Sequence, residues 1–439
     1  MAGPPRPVTH RRVLAVAMPI VLSNATVPIL GAVDTGVVGQ LGEAAPIGAV
    51  GIGAVVLSAI YWIFGFLRMG TTGFASQALG RDDLDEGAAI LSRGLGIGLL
   101  GGLAIIVLQL PLFRAAFWVS PASSDVESMA RAYMGIRVWS APALISIFAI
   151  TGWLIAAERT RGVFVIQIWM NGVNVALDLW FVLGLGWGVE GVARATFIAE
   201  WSGFALGLWL CRDAFSTPAW RDRARVLDPA KLKRFAQVNS DILIRSMLLQ
   251  AMVVSFLLLS SRFGDVRLAA NQILLQFLNI TAYAMDGFAF AAEAIVGSAL
   301  GRGRRDLFRR GAILTSIWGA VTGAVLALAF LLGGGAIIDV MTTAPEVRDA
   351  ARLFLPYMIA APILGCAAWM LDGIFIGATR TADMRNMMVV SAVLYAVSLA
   401  ILMPAFGAHG LWLAFLIGFV ARGVTLGLRY PALERSVGS

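Results

Sequence analysis

Long apolar runs, separated by short polar stretches, follow one another along the whole chain. Runs of membrane length fall at roughly 13–40, 46–78, 88–113, 129–157, 162–186 and 188–211, and again at about 235–261, 266–300, 310–338, 350–377, 384–405 and 408–428. A helix of about 20 apolar residues spans a bilayer, so the pattern predicts an all-α integral membrane protein with twelve transmembrane helices. The stretch between the two sets, 212–234, contains Pro218, Pro229 and mixed charge, and reads as a linker. The expected organisation is a six-helix bundle at 1–211, the linker at 212–234, and a second six-helix bundle at 235–439.

The two halves resemble each other. SQALGR at 76–81 answers GSALGR at 297–302, and IAAERT at 155–160 answers IGATRT at 376–381, both 221 residues apart; GVEG at 188–191 answers GAHG at 407–410, at a spacing of 219. A nearly constant offset at three places marks an internal repeat. Six helices per half is an even number, so both halves cross the membrane in the same sense, as in transporters built from repeats around an axis along the membrane normal. Basic residues set the orientation. Arg6, Arg11 and Arg12, Arg81 and Arg93, Arg159 and Arg161, the arginines at 302–310, Arg380 and Arg385, the linker and the tail share one side. The opposite loops LGEAAP and FGAHG have no Lys or Arg, and SSRFGDVR has two. Both termini are therefore expected in the cytoplasm of a cell with this protein in its plasma membrane, the inner membrane of a bacterium.

Composition agrees: the 439 residues are 59% hydrophobic and 14% charged, with mean hydropathy +0.81. The net charge of +8 would suit a nucleic-acid partner, but the basic residues collect beside apolar runs, where they set topology instead. Cys211 and Cys366 lie in or beside apolar runs and imply no disulfide framework. Arg11 and Arg12 precede an apolar stretch as in a signal peptide, yet that stretch is too long and lacks a small-residue cleavage site, so it is read as a retained first helix.

Within this oily background, acids stand out. From Val13 to Leu41 the only ionisable side chain is Asp34, and a carboxylate in hydrocarbon is costly and usually functional. Asp34 precedes Leu41 by seven residues, Asp178 precedes Leu185 by seven, and Thr196 follows Val189 by seven; at 1.5 Å per residue all three sit roughly 10 Å below the outer helix ends. Asn174 and Glu200 lie one turn deeper, and Asn174 shares a helical face with Asp178. Two neighbouring carboxylates in low dielectric share a proton or a cation, so Asp34, Asn174, Asp178, Thr196 and Glu200 form a candidate site for H⁺ or Na⁺. The architectural alternative is that hydroxyls or Arg194 cap the two aspartates, which then only pin the bundle. In the second half, Asp241 and Arg245, four apart, suggest a structural ion pair. Asp286, Glu293 and Asp372 suggest a polar network or substrate contacts, and Arg68, well inside the second apolar run, requires a counter-charge. Under the 221-residue offset Asp286 maps to Gly65 and Asp372 to Thr151, so the acids are not duplicated and the halves have divided their work.

Other motifs carry little chemistry. GIGLLG at 96–101 fits G-x-G-x-x-G, but no strand precedes it, and helix packing explains it better. The only lysines are Lys231 and Lys233, neither in a P-loop, and His10 and His409 stand alone. No catalytic or metal-ligand cluster is seen, and neither enzyme chemistry nor a cofactor is implied.

PILGAVDTGVVGQLG, the Asn174–Asp178 pair with Thr196, and the twelve spans in two halves resemble the multidrug and toxic compound extrusion (MATE) family. FLRMGTTG at 66–73, AYAMDGFAFAAEA at 282–294, IAEW at 198–201 and ADMRN at 382–386 resemble its DinF branch. The resemblance implies two six-helix lobes around a V-shaped cavity, and export of bulky, often cationic or amphipathic compounds by a monomer in exchange for H⁺ or Na⁺. It makes Asp34 the coupling acid, with Asn174, Asp178 and Thr196 completing the cation site, and Pro19 and Pro28 the loosening points of a bending first helix. Of the cation site attributed to C-lobes elsewhere in the family, only Asp372 is recognisable. The alternatives are a flippase for a lipid-linked precursor, which would favour a cationic cavity, or an exporter of one specific metabolite.

Overall fold

The computed structural model describes residues 7–40, 43–119 and 123–438; Arg6, Leu41 and Gly42, used above for orientation and depth, lie outside them. The described residues form helices and turns. In chain order these are α1 (His10–Ala25), α2 (Val27–Gly39), α3 (Ala44–Trp62), α4 (Phe66–Gly80), α5 (Leu84–Val107), α6 (Gln109–Val119), α7 (Ser124–Arg137), α8 (Ala141–Ala156), α9 (Thr160–Asp178), α10 (Gly188–Leu210), α11 (Arg223–Val226), α12 (Pro229–Ser260), α13 (Asp265–Gly301), α14 (Arg305–Met341), α15 (Pro345–Gly377), α16 (Thr381–Phe406) and α17 (Ala408–Arg435).

Among the described residues ten helical stretches are long and apolar enough to cross a membrane. Two of the twelve runs expected from the sequence fall short, for visible reasons. The first is interrupted at Thr26 into helices of 16 and 13 residues. The α10 helix has 23 residues but carries Glu190, Arg194 and Glu200. Many outward side chains are apolar, with Val340 89% and Leu332 79% exposed; such a surface suits hydrocarbon, while every helical backbone group is satisfied within its own segment.

The breaks are confined to the first half. Thr26, Leu108 and the 3₁₀ turn Val138–Ser140 are each followed within three residues by a proline, Pro28, Pro111 or Pro142, whereas the 3₁₀ turn Ile63–Gly65 has none after it. Proline has no N–H and disfavours helical backbone in the residue before it. Yet Pro356 and Pro362 lie inside α15 without ending it, so proline permits a break without dictating one.

Packing divides the chain into two units that differ from the expected 1–211 and 235–439. One comprises Met1–Val21, Gly80–Asp82 and Arg234–Ser439; the other comprises Leu22–Leu79 and Asp83–Lys233. The boundary runs through α1, because Val13, Val16 and Ala17 are buried against Met285, Phe288 and Ile295 of α13. The segment at 212–234 is not a free tether. Arg93 of α5, 5% exposed, donates to the carbonyls of Val226 at 2.9 Å and Arg225 at 2.7 Å and pairs with Glu86 at 2.8 Å. Lys231 reaches the other Glu86 oxygen at 2.5 Å. Up to Lys233 the linker therefore belongs to the Leu22–Lys233 unit, and its basic residues hold structure as well as topology. The core of the other unit is aromatic: Phe256 lies 4.5 Å from Trp412 and 4.6 Å from Phe415, ring centre to ring centre, and the Trp412 indole donates to Asn271 at 3.1 Å.

The internal repeat is written in the backbone. Asp82 (φ 59°) and Gly303 (φ 64°) have positive φ, as do Glu158 (φ 56°) and Thr379 (φ 52°), and Gly188 (φ 53°) and Gly407 (φ 57°). Each pair stands at or beside one of the three repeated motifs, at the same offset. Non-glycine residues seldom adopt this conformation, so its recurrence at matched positions repeats one turn design. A helix crossing recurs too. A Cβ on Gly152 would strike the carbonyl oxygen of Arg68, and one on Gly373 that of Ala289, positions again related by 221.

Candidate cation-coupling site

The site builds from α2, α9 and α10, all within one packing unit. Asp34 is carried by α2, immediately beyond the break, and is half-buried. Asn174 and Asp178 are 0% exposed, one turn apart on α9. After Asp178 the chain continues as a wide π-helical stretch, Leu179–Gly184, a distortion frequent at functional sites. Thr196, on α10, is buried.

The Asn174 amide faces two carboxyl groups, which accept hydrogen bonds, so its orientation is assigned with Nδ2 towards them. It then donates to Asp34 Oδ1 at 2.9 Å and Asp178 Oδ2 at 3.1 Å, while its Oδ1 lies 3.0 Å from the Thr196 hydroxyl. That hydroxyl is also 3.0 Å from the Val192 carbonyl. Asp34 and Asp178 lie within hydrogen-bonding reach of each other. Such a contact is attractive only when one carboxyl carries a proton or a cation bridges the pair. The other Asp178 oxygen, Oδ1, is buried with no hydrogen-bond partner. Four of the five residues that depth matching selected are therefore brought together. Arg194, considered above as their cap, pairs instead with Glu190 at 2.8 Å and stacks on Trp187.

Glu200, grouped with these four by depth, is committed elsewhere. It pairs with Arg137 of α7 at 2.6 Å and accepts a hydrogen bond from Ser140. Arg137 also donates to Tyr133 at 2.8 Å, and Tyr61 donates to the Arg137 carbonyl at 3.2 Å. This cluster went unnoticed in the sequence, although the signal was the one that drew attention to Asp34: Arg137 is an ionisable residue in the apolar run 129–157. Its charge acts on both Asp34 and Asp178.

The other predicted residues lie outside this site. Arg68 is buried on α4. Asp286 and Glu293 belong to α13, and Glu293 is 1% exposed. Asp241 does not pair with Arg245, as the four-residue spacing suggested. It binds Arg385 at 2.5 Å and the Thr381 hydroxyl at 3.0 Å, because tertiary packing offers it a closer partner from α16. Arg245 turns to Asp372, which Arg422 also binds, at 2.6 Å. With two guanidiniums on it, the Asp372 carboxylate does not offer a cation site. Pro28 occupies the first turn of α2 next to the break, whereas Pro19 lies inside an unbroken α1. Both cysteines are free, and no group of three or more His, Cys, Asp or Glu able to hold a metal occurs among the described residues.

The MatE family model matches the chain twice, over residues 19–180 and 242–402, once in each half. The chain belongs to the MATE family. It is 35% identical to DNA damage-inducible protein F of Escherichia coli over 93% of this chain and 89% of that protein. It is 26% identical to a probable multidrug resistance protein NorM of Xanthomonas campestris over 95% of this chain and 93% of that protein. The bent form of the MATE transporter VcmN of Vibrio cholerae superposes with a TM-score of 0.87 at 18% identity, each chain covered to 97%. Like its MATE relatives, this is a multi-pass membrane transporter and not an enzyme.

Proposed function

We propose that the protein exports small organic compounds, cationic or amphipathic, in exchange for protons entering through the Asp34 site, by alternating access. The observation that carries this is the Asp34–Asn174–Asp178 cluster: two carboxyls in reach of each other, one half-buried and one fully buried, bridged by one amide. The direct reach between the two carboxyls favours H⁺ over Na⁺, because one shared proton joins them without any further ligand. Taking up a proton on one face and losing it on the other would alternately close and open the Asp34–Asp178 contact. Through α2, that change would reach the break at Thr26, with Pro28 beside it as the hinge.

In proteoliposomes, addition of a transported organic cation should release protons across the membrane at the same rate with and without sodium; a response that requires sodium would assign the site to Na⁺ instead. Orientation follows from the basic loops, with both termini cytoplasmic in the bacterial inner membrane. A reporter fused after Gly438 should read cytoplasmic and one inserted near Asp125 external; a cytoplasmic reading at Asp125 would break the topology.

A further inference from the structure

The unit containing α12 to α17 gathers three charged side chains of its own. Asp372 on α15 accepts, through the single oxygen Oδ2, from Nη2 of Arg245 on α12 and from Nη2 of Arg422 on α17. All three residues are more than nine-tenths buried: 8% of Arg245, 6% of Asp372 and 3% of Arg422 is exposed. Two guanidiniums against one carboxylate leave one positive charge uncompensated. The charges acting on Arg422 are those of Asp372 and Arg245, and Asp241 of the same unit is bound by Arg385. An unpaired charge held away from water is strongly unfavourable.

Beside the triad lies a cavity of about 10 Å³, lined by these three residues together with Met384, Met387, Met388 and Leu426. That is room for one group the size of a water molecule. The Nε of Arg245, a donor that cannot lose its proton, is buried with no hydrogen-bond partner. Surplus positive charge, a spare donor and a space for one small group therefore coincide. A water molecule would satisfy the donor but not the charge. We propose that Arg245 and Arg422 bind a single monatomic anion, chloride, in this cavity. The methionines and Leu426 keep the surroundings apolar, which strengthens the attraction. The two packing units then hold sites of opposite sign: acids around Asp34 in one, arginines around Asp372 in the other.

The test uses the full-length protein in detergent, with sodium and ionic strength held constant while gluconate is replaced by chloride or by formate, the smallest carboxylate. Binding to the folded state alone raises the melting temperature in a saturable way, and a rise of several degrees is expected. Chloride should give the rise and formate, with three heavy atoms, a smaller one; a rise in formate equal to that in chloride would overturn a site for a single monatomic anion. Arg245→Gln leaves a neutral Arg422–Asp372 pair and should lose the response. Asp372→Asn increases the surplus charge and should respond at lower anion concentration. This second variant, with the parent, keeps the test decisive if Arg245→Gln does not fold. The proposal fails if the parent melts identically in all three salts, or if Arg245→Gln keeps the full anion-dependent rise. The readout is melting and not transport, so it is independent of the coupling role assigned to Asp34.

Discussion

Asp34→Asn should abolish gradient-driven export while the protein still folds and reaches the membrane. The substitution keeps the size of the side chain and its ability to accept from the Asn174 amide, now 2.9 Å away, but removes the group that titrates. Asp178→Asn should be nearly as damaging, because a lone acid no longer meets the repulsion that makes the pair bind a proton. Thr196→Ala should be milder: it deletes one neutral hydrogen bond, worth about 0.5–1.5 kcal/mol, and leaves both carboxyls in place. The deciding measurement is transport per folded molecule in proteoliposomes with an imposed pH gradient. Wild-type coupled export by Asp34→Asn, or a loss of yield with normal transport in the surviving protein, would make Asp34 architectural.

Arg137→Met should produce a large loss of stability. The methionine retains the apolar stem, but Glu200, 5% exposed, loses the partner held at 2.6 Å and keeps only the Ser140 hydroxyl. Removing one member of a buried ion pair costs about 3–5 kcal/mol because the other charge is left uncompensated. Adding Glu200→Gln should recover most of it, since the remaining pair of neutral groups needs no counter-charge, and a double-mutant cycle measures the coupling directly. Melting temperature of the purified protein checks this; a single variant as stable as its parent would show that the pair does not hold α7 to α10. Folded double variant offers a further test: without the guanidinium near Asp34 and Asp178, the pH profile of transport should shift even though neither aspartate has been touched.

Much of the fold was legible in the chain because a bilayer constrains sequence severely: backbone groups must be satisfied internally, so spans appear as long apolar runs. The run 266–300 became α13, Asp265–Gly301, and the run 350–377 became α15, Pro345–Gly377. Asp34, Asn174, Asp178 and Thr196 were also legible, because a polar group in an apolar run is conspicuous and helical rise converts sequence position into depth. The repeat was legible at the turns, where the positive-φ residues Asp82 and Gly303 fix the backbone.

What depth could not supply is azimuth, the direction in which a side chain leaves its helix relative to neighbours that are distant in sequence. Glu200 lies at a level close to Asn174, yet Arg137, 63 residues away, claims it. Asp241 and Arg245 share a helical face, yet one binds Arg385 and the other Asp372. The assignment of the first helix to two packing units was equally hidden, since Val13 and Ala17 lie in the same apolar run as Val37 and Val38 and differ only in the unit they belong to. In a membrane protein, hydropathy selects which segments are helices and how deep each residue lies. Pairing among buried charges is decided by the tertiary structure, because in low dielectric each ion takes the nearest opposite charge that packing presents, whatever its distance along the chain.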